Sequence, residues 1–140
     1  MVELVVAIAV LAILAGAAIP LARNVIKRQK ERELRRDLWG LRDGIDRYKD
    51  ACDRGAFQKK IDSECYPPDL ETLVKGVDVN GKKLKFLRRI PVDPMTGDTE
   101  WGLRSMQDDP DSTSWGGQNV FDVYTKSEGT GLDGTKYQAW

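Results

Sequence analysis

The 140-residue sequence contains no histidine and only two cysteines. Without histidine the chain lacks the commonest general base and the commonest metal ligand, and two cysteines alone make a poor zinc site. The sequence also lacks a glycine-rich phosphate loop leading to Lys-Ser/Thr, and it lacks the motifs G-x-S-x-G, C-x-x-C and H-E-x-x-H. From these absences we predict that the chain is not an enzyme.

An excess of charge of one sign is also missing. The 22 basic side chains balance the 22 acidic ones, so the net charge does not indicate a nucleic-acid partner. The length leaves room for one modest globular domain in addition to the N-terminal segment.

The N-terminal segment has the most unusual composition in the chain. Residues 4–19, with the sequence LVVAIAVLAILAGAAI, are apolar without interruption, and Pro20-Leu21-Ala22 extends the run to Arg23. As a helix, residues 1–22 would be about 33 Å long, enough to cross the hydrocarbon core of a membrane. The absence of a polar face favours a bilayer or the interior of a helical bundle. We therefore predict that residues 1–22 form a membrane-spanning or filament-core helix.

Glu3 is the only charged residue in this segment. A carboxylate at the edge of an apolar helix is costly in lipid and usually marks a function or a partner. A solvated position among the lipid headgroups is the alternative for Glu3.

For the apolar segment as a whole, the alternative is a secretory signal peptide cleaved near Ala15-Gly16-Ala17. It is opposed by the lack of a basic region before the apolar run, by Glu3 itself, and by the helical pattern that continues past Pro20.

Beyond residue 22 the pattern becomes that of an amphipathic helix. Residues 23–53 continue the helix, and apolar side chains spaced three and four residues apart form a stripe on one face. We call these residues the core stripe: Leu34, Leu38, Leu41, Ile45, Tyr48 and Cys52. We expect the core stripe to pack against the chain's own globular domain in residues 54–140.

A basic cluster precedes the core stripe on the same helix. By the positive-inside rule, such a cluster would place the globular domain in the cytoplasm. Alternatively, these side chains are solvated, or they pair with acidic side chains on neighbouring helices of an assembly. The cluster comprises Arg23, Lys27, Arg28, Lys30, Arg32, Arg35 and Arg36.

The globular part has the pattern of a small α+β domain. Asp69 is a candidate N-cap of a short helix, and Asn80-Gly81 suits a two-residue hairpin turn. Strand-like alternation recurs in residues 100–106 and 119–125. We therefore predict an α+β class in which a three- or four-stranded antiparallel sheet covers the long helix.

Cys52 and Cys65 lie at the end of the long helix and in the loop that follows it. In an exported domain they would form one disulfide, which is worth about 3 kcal/mol in the chain-entropy model. In an intracellular protein they would instead be redox or metal-binding groups. We predict the disulfide.

The apolar segment resembles the N-terminal helix of type IV pilins and of type II secretion pseudopilins. Those subunits carry a glutamate near the mature N-terminus and a proline in the same helix, spaced as Glu3 and Pro20 are. In the family the glutamate is the fifth residue after leader cleavage, so the resemblance implies a leader and about two further residues ahead of Met1. Three later segments resemble major pseudopilins: YPPDLETL (66–73), IPVDPMTG (90–97) and residues 121–140.

The resemblance implies a pilin-like fold and a calcium site. In major pseudopilins two aspartates of the C-terminal loop supply side-chain oxygens to calcium, and Asp122 and Asp133 match them. The segment between them is longer than in the family. It either carries a ligand such as Ser127 or replaces the ion with hydrogen bonds, and otherwise the two aspartates stabilise turns.

The resemblance also implies a function. A prepilin peptidase trims and N-methylates such subunits, and an inner-membrane assembly platform adds them, with minor pseudopilins, to a filament that works with an outer-membrane secretin. We therefore expect a homopolymer-forming subunit of type II protein secretion, anchored in the bacterial inner membrane with its domain in the periplasm. A surface type IV pilus and a monomeric membrane-anchored binding domain are the alternatives.

Overall fold

The computed structural model describes all 140 residues. The class is α+β, as predicted, with one long N-terminal helix and small antiparallel sheets. The elements are α1 (Val2–Asp53), α2 (Leu70–Lys75), β1 (Val77–Val79), β2 (Lys82–Leu84), β3 (Gly102–Arg104), β4 (Asp122–Tyr124) and a short 3₁₀ helix (Tyr137–Ala139).

Helix α1 is continuous for 52 residues and contains Pro20 in its interior. Its first half consists mainly of alanine, valine, leucine and isoleucine, of which alanine and leucine have high helix propensity. Its second half is held by packing, because the core stripe places one apolar side chain on the domain at nearly every turn. The helix ends at Asp53, so the predicted end is confirmed.

The hydrophobic core lies between the second half of α1 and the rest of the domain. Every residue of the core stripe is buried, at 6% exposure or less. The partners come from α2, β4 and the connecting segments, and they include Leu70, Leu73, Phe86, Trp101, Val120, Val123 and Tyr137. The prediction that the core stripe packs on the chain's own domain is confirmed.

Two local predictions are also confirmed. Asp69 caps α2, since its carboxylate accepts a hydrogen bond from the amide of Thr72 at 2.7 Å. The turn between β1 and β2 is formed by Asn80 and Gly81, both with positive φ (51° and 80°). A two-residue hairpin turn needs this left-handed conformation, which explains the Asn-Gly pair.

The strands form two separate two-stranded antiparallel sheets, so the prediction of one three- or four-stranded sheet was wrong. β1 pairs with β2, and β3 pairs with β4. All three residues of β2 are exposed. The chain after β2 contains Pro91 and Pro94, which lack the amide needed to extend a ladder. β4 packs on α1, and Phe86, which follows β2, lies in the same hydrophobic core. The two sheets therefore belong to one domain without pairing with each other.

Candidate assembly helix and C-terminal clamp

The first half of α1 makes no buried contact within the molecule. Its most apolar 18-residue window has a mean hydropathy of 2.8, and none of that window is buried. α1 is therefore long and apolar enough to span a membrane. Glu3 lies in the first turn and Pro20 in the interior of this half, and both are exposed.

Trp39 is a second exposed feature of α1, and the sequence analysis missed it. Its side chain is 71% exposed, on the face of the helix opposite the core stripe. The sequence does contain a signal for this exposed position, because a tryptophan on the charged face of an amphipathic helix cannot be covered by the chain's own domain. Exposed tryptophans are typical of interaction surfaces.

Arg42 connects α1 to the C-terminal part of the chain. Its guanidinium donates hydrogen bonds to Oδ1 of Asp122 at 2.7 Å, to the carbonyl of Val123 at 3.1 Å and to the carbonyl of Trp140 at 2.7 Å. The nearly buried guanidinium of Arg104 lies 3.9 Å from the other oxygen of Asp122. One partly exposed cation therefore binds a carboxylate and two main-chain carbonyls, and connects β4 and Trp140 to α1.

Arg35 holds the same region seven residues earlier on α1. Its guanidinium lies 3.3 Å from Oδ2 of Asp133 and 3.8 Å from the ring centroid of Trp140, which combines an ion pair with a cation–π contact. Both the hydroxyl and the amide of Thr135 donate to the other oxygen of Asp133. These hydrogen bonds, followed by the charge of Arg35, hold the pKa of Asp133 below its ordinary value. Asp133 is therefore an ionised anchor for the C-terminal loop.

Glu31 supplies the third contact from α1. One of its carboxylate oxygens accepts hydrogen bonds from the amide of Leu132 at 2.8 Å and from the hydroxyl of Tyr137 at 2.9 Å. Burial, together with this hydrogen bond, raises the pKa of Tyr137 to about 12, so the phenol remains a donor at neutral pH. We call the three side chains of α1 that hold the C-terminal part the helix clamp: Glu31, Arg35 and Arg42.

The three candidate calcium ligands do not fit a calcium ion. Asp122 is bound by Arg42 and Asp133 by Arg35, and these arginines are separated by about 10 Å of helix. The hydroxyl of Ser127 accepts a hydrogen bond from a nearby amide instead. Calcium collects six to eight oxygens, whereas both carboxylates here are already paired with guanidinium groups. In addition, no three acidic, histidine or cysteine side chains are placed to hold a metal ion together.

The disulfide predicted for an exported domain is present between Cys52 and Cys65. The loop that it closes contains Asp62, Glu64 and Cys65 with positive φ (63°, 49° and 63°). Non-glycine residues rarely adopt this conformation, because it crowds the side chain against the backbone. The covalent link therefore joins the end of α1 to a loop whose backbone is costly to hold in place.

Comparisons with known proteins do not assign this geometry to a family. No protein-family model, no curated protein and no solved structure matches the chain. A functional assignment therefore depends on the chain's own residues.

Proposed function

We propose that the protein is a structural subunit that polymerises through the first half of α1 into a periplasmic pseudopilus of a type II secretion system. The observation that carries the proposal is the uncovered apolar surface between Met1 and Ile26. Fourteen large apolar side chains in this stretch are about half or more exposed. Covering them is worth on the order of 20 kcal/mol, more than the usual stability of a whole domain.

Such a surface is stable only in lipid or against other apolar helices. A membrane would cover it while the subunit is stored, and the helices of other copies would cover it in a filament. Because α1 runs without a break from this surface into the core stripe, each helix carries its domain with it when it joins the filament. The domains would then surround a core of packed helices.

Glu3 is the residue that we expect to set the axial position of each subunit. In a core of apolar helices its carboxylate needs a cationic partner, and the terminal ammonium of a neighbouring subunit is the group that the family resemblance supplies. Low dielectric strengthens this attraction and makes an unpaired carboxylate costly. Displaced positions, in which Glu3 has no partner, are therefore disfavoured.

The finer assignment follows from the resemblance in the first half of α1 and in the later motifs. It includes a pilin-like fold, processing by a prepilin peptidase, and work with minor pseudopilins, an assembly platform and a secretin. Short filaments favour this assignment, whereas long surface fibres favour a type IV pilus. Removal of residues 1–22 tests the remaining alternative, because a monomeric binding domain would keep its activity without them.

The proposal is tested by electron microscopy of the detergent-extracted, processed protein. We expect regular filaments from the natural chain and sharply fewer from Glu3→Ala, with the same melting temperature for the domain. Glu128→Ala is the matched control, because Glu128 is exposed and far from the apolar helix in sequence, and it should assemble normally. Only dispersed particles from the natural chain would refute polymerisation, and normal filaments from Glu3→Ala would refute the role of Glu3.

A further inference from the structure

The face of α1 opposite the core stripe carries apolar, basic and acidic side chains in a fixed order along the helix, and the globular domain does not pack on this face. It begins apolar, becomes basic, passes through Trp39 and ends acidic. We call these residues the outer stripe: Val25, Gln29, Arg32, Arg36, Trp39, Asp43, Asp46 and Asp50. The globular domain packs on the other side of α1, so the outer stripe is free to contact another molecule.

The charges in the outer stripe are mostly unpaired within the chain. Arg32, Arg36 and Asp46 form no salt bridge. Asp50 has only a 3.7 Å contact with Arg54, in which both side chains are about three-quarters exposed. Asp43 is paired with Arg47 at 3.0 Å. The side chains of the outer stripe without a close partner are therefore Arg32, Arg36, Asp46 and the 71% exposed Trp39.

We propose that the outer stripe binds the outer stripe of a second copy of this chain, in parallel and displaced by 14 residues along the helix. This inference rests on the proposed function and names the contact between subunits. The displacement corresponds to about 21 Å at 1.5 Å per residue. It places three complementary pairs opposite each other: Val25 with Trp39, Arg32 with Asp46, and Arg36 with Asp50.

The parallel direction follows from the apolar half of α1. Two parallel copies place their apolar halves on the same side, where lipid or other helices can cover both. An antiparallel pair would place one apolar half beside the domain of its partner and leave it in water. The cost of that exposure, judged from the apolar side chains between Met1 and Ile26, is much larger than the contribution of any surface ion pair.

The value of 14 residues follows from the spacing of the charges. Fourteen residues are two heptads, so the same face of both helices stays in contact. A displacement of 18 residues also sets three arginines (Arg28, Arg32 and Arg35) against aspartates. It sets Val25 against Asp43 and Arg36 against Arg54, however. A displacement of seven residues sets Arg32 against Trp39 and leaves Asp50 without a basic partner. Only the 14-residue displacement matches both the ionic and the apolar positions.

Each like-charged pair at the 14-residue displacement includes at least one side chain that already has an acidic partner in its own chain. Arg28 would approach Arg42, and Arg35 would approach Lys49. Their acidic partners within the same chain are Asp122 for Arg42, Asp133 for Arg35 and Asp53 for Lys49. Arg28 has no acidic partner, so its approach to Arg42 is the one unfavourable contact in which an unpaired cation takes part.

Disulfide cross-linking measures the displacement directly in assembled filaments. The natural cysteines are both in the internal disulfide, so introduced cysteines are the only free thiols. We expect the double variant Arg32→Cys with Asp46→Cys to form covalent dimers and longer ladders on mild oxidation. The matched control, Arg32→Cys with Asp50→Cys, reports an 18-residue displacement and should remain monomeric on a denaturing gel.

Charge reversal tests the same contact without cysteines. Arg32→Asp should lower the polymerised fraction about fivefold, and adding Asp46→Arg should restore it, while the melting temperature of the domain stays unchanged in both. Filaments that form normally but cross-link only in the control pair, or in neither pair, would overturn this inference and leave the proposed function standing. Absence of filaments from the natural chain would overturn both.

Discussion

Replacement of Arg42 by alanine should be among the most destabilising single changes on the surface of α1. The change removes three hydrogen bonds, to Asp122 and to the carbonyls of Val123 and Trp140. Hydrogen bonds from a charged donor contribute about 1.5–3 kcal/mol each when buried. The side chain of Arg42 is 36% exposed and that of Asp122 is 28% exposed, so we reduce this to about 1 kcal/mol per bond. The expected loss is therefore about 2–3 kcal/mol, or about 8–12 °C in melting temperature.

Thermal unfolding followed by circular dichroism measures this loss in the full chain in detergent. Arg54→Ala is the control, because Arg54, which directly follows α1, also contacts an aspartate but is 75% exposed. It should change the melting temperature by at most about 2 °C. Arg42→Lys should fall between the two, since an ammonium has no planar fork that can reach three acceptors. If Arg42→Ala and Arg54→Ala have the same melting temperature, Arg42 does not hold the C-terminal part to the domain.

Two further predictions concern the ion and the disulfide. Because guanidinium groups already neutralise Asp122 and Asp133, excess calcium and a chelator should give the same melting temperature. A rise of several degrees in calcium would contradict our interpretation of these residues, since a bound ion must stabilise the folded state. Reduction of the disulfide between Cys52 and Cys65 should lower the free energy of unfolding by about 3 kcal/mol, measured as the urea midpoint with and without reductant. The variant Cys52→Ser with Cys65→Ser should be insensitive to the reductant and match the reduced protein, and equal midpoints for the natural chain in both conditions would refute the contribution.

Local regularity explains which parts of the fold were predictable from sequence. The six residues of the core stripe keep a regular spacing of three and four residues. The position of the second half of α1 and its end could therefore be predicted from this pattern. Asp69 and the Asn80-Gly81 turn were predictable for the same reason, because caps and tight turns depend on neighbouring residues. The division into two sheets was not predictable, because strands of three residues contain too little pattern to select a partner.

The contacts of the helix clamp could not be predicted from the sequence, because the residues that they join are far apart along the chain. Arg42 and Asp122 are 80 residues apart, and Arg35 and Asp133 are 98 residues apart. An arginine on the flank of an amphipathic helix is usually solvated, so nothing near it in sequence reveals a distant acceptor. The two aspartates did stand out, but only as expected calcium ligands. What their sequence positions could not show is that α1 itself supplies the positive charge they require.

In the proposed filament, the helix clamp and the outer stripe would have two separate tasks on α1. The outer stripe, through Arg32 and Asp46, would fix where one helix lies against the next. The clamp fixes where the domain lies on its own helix, and it shares no residue with the outer stripe. Arg42→Ala should therefore lower the melting temperature and leave the cross-link between positions 32 and 46 intact. Arg32→Asp should instead leave the melting temperature unchanged and lower the polymerised fraction. The outer stripe would fix each helix on its neighbour, and the helix clamp fixes each domain on its helix. The displacement between neighbouring helices would therefore determine the position of every domain along the filament.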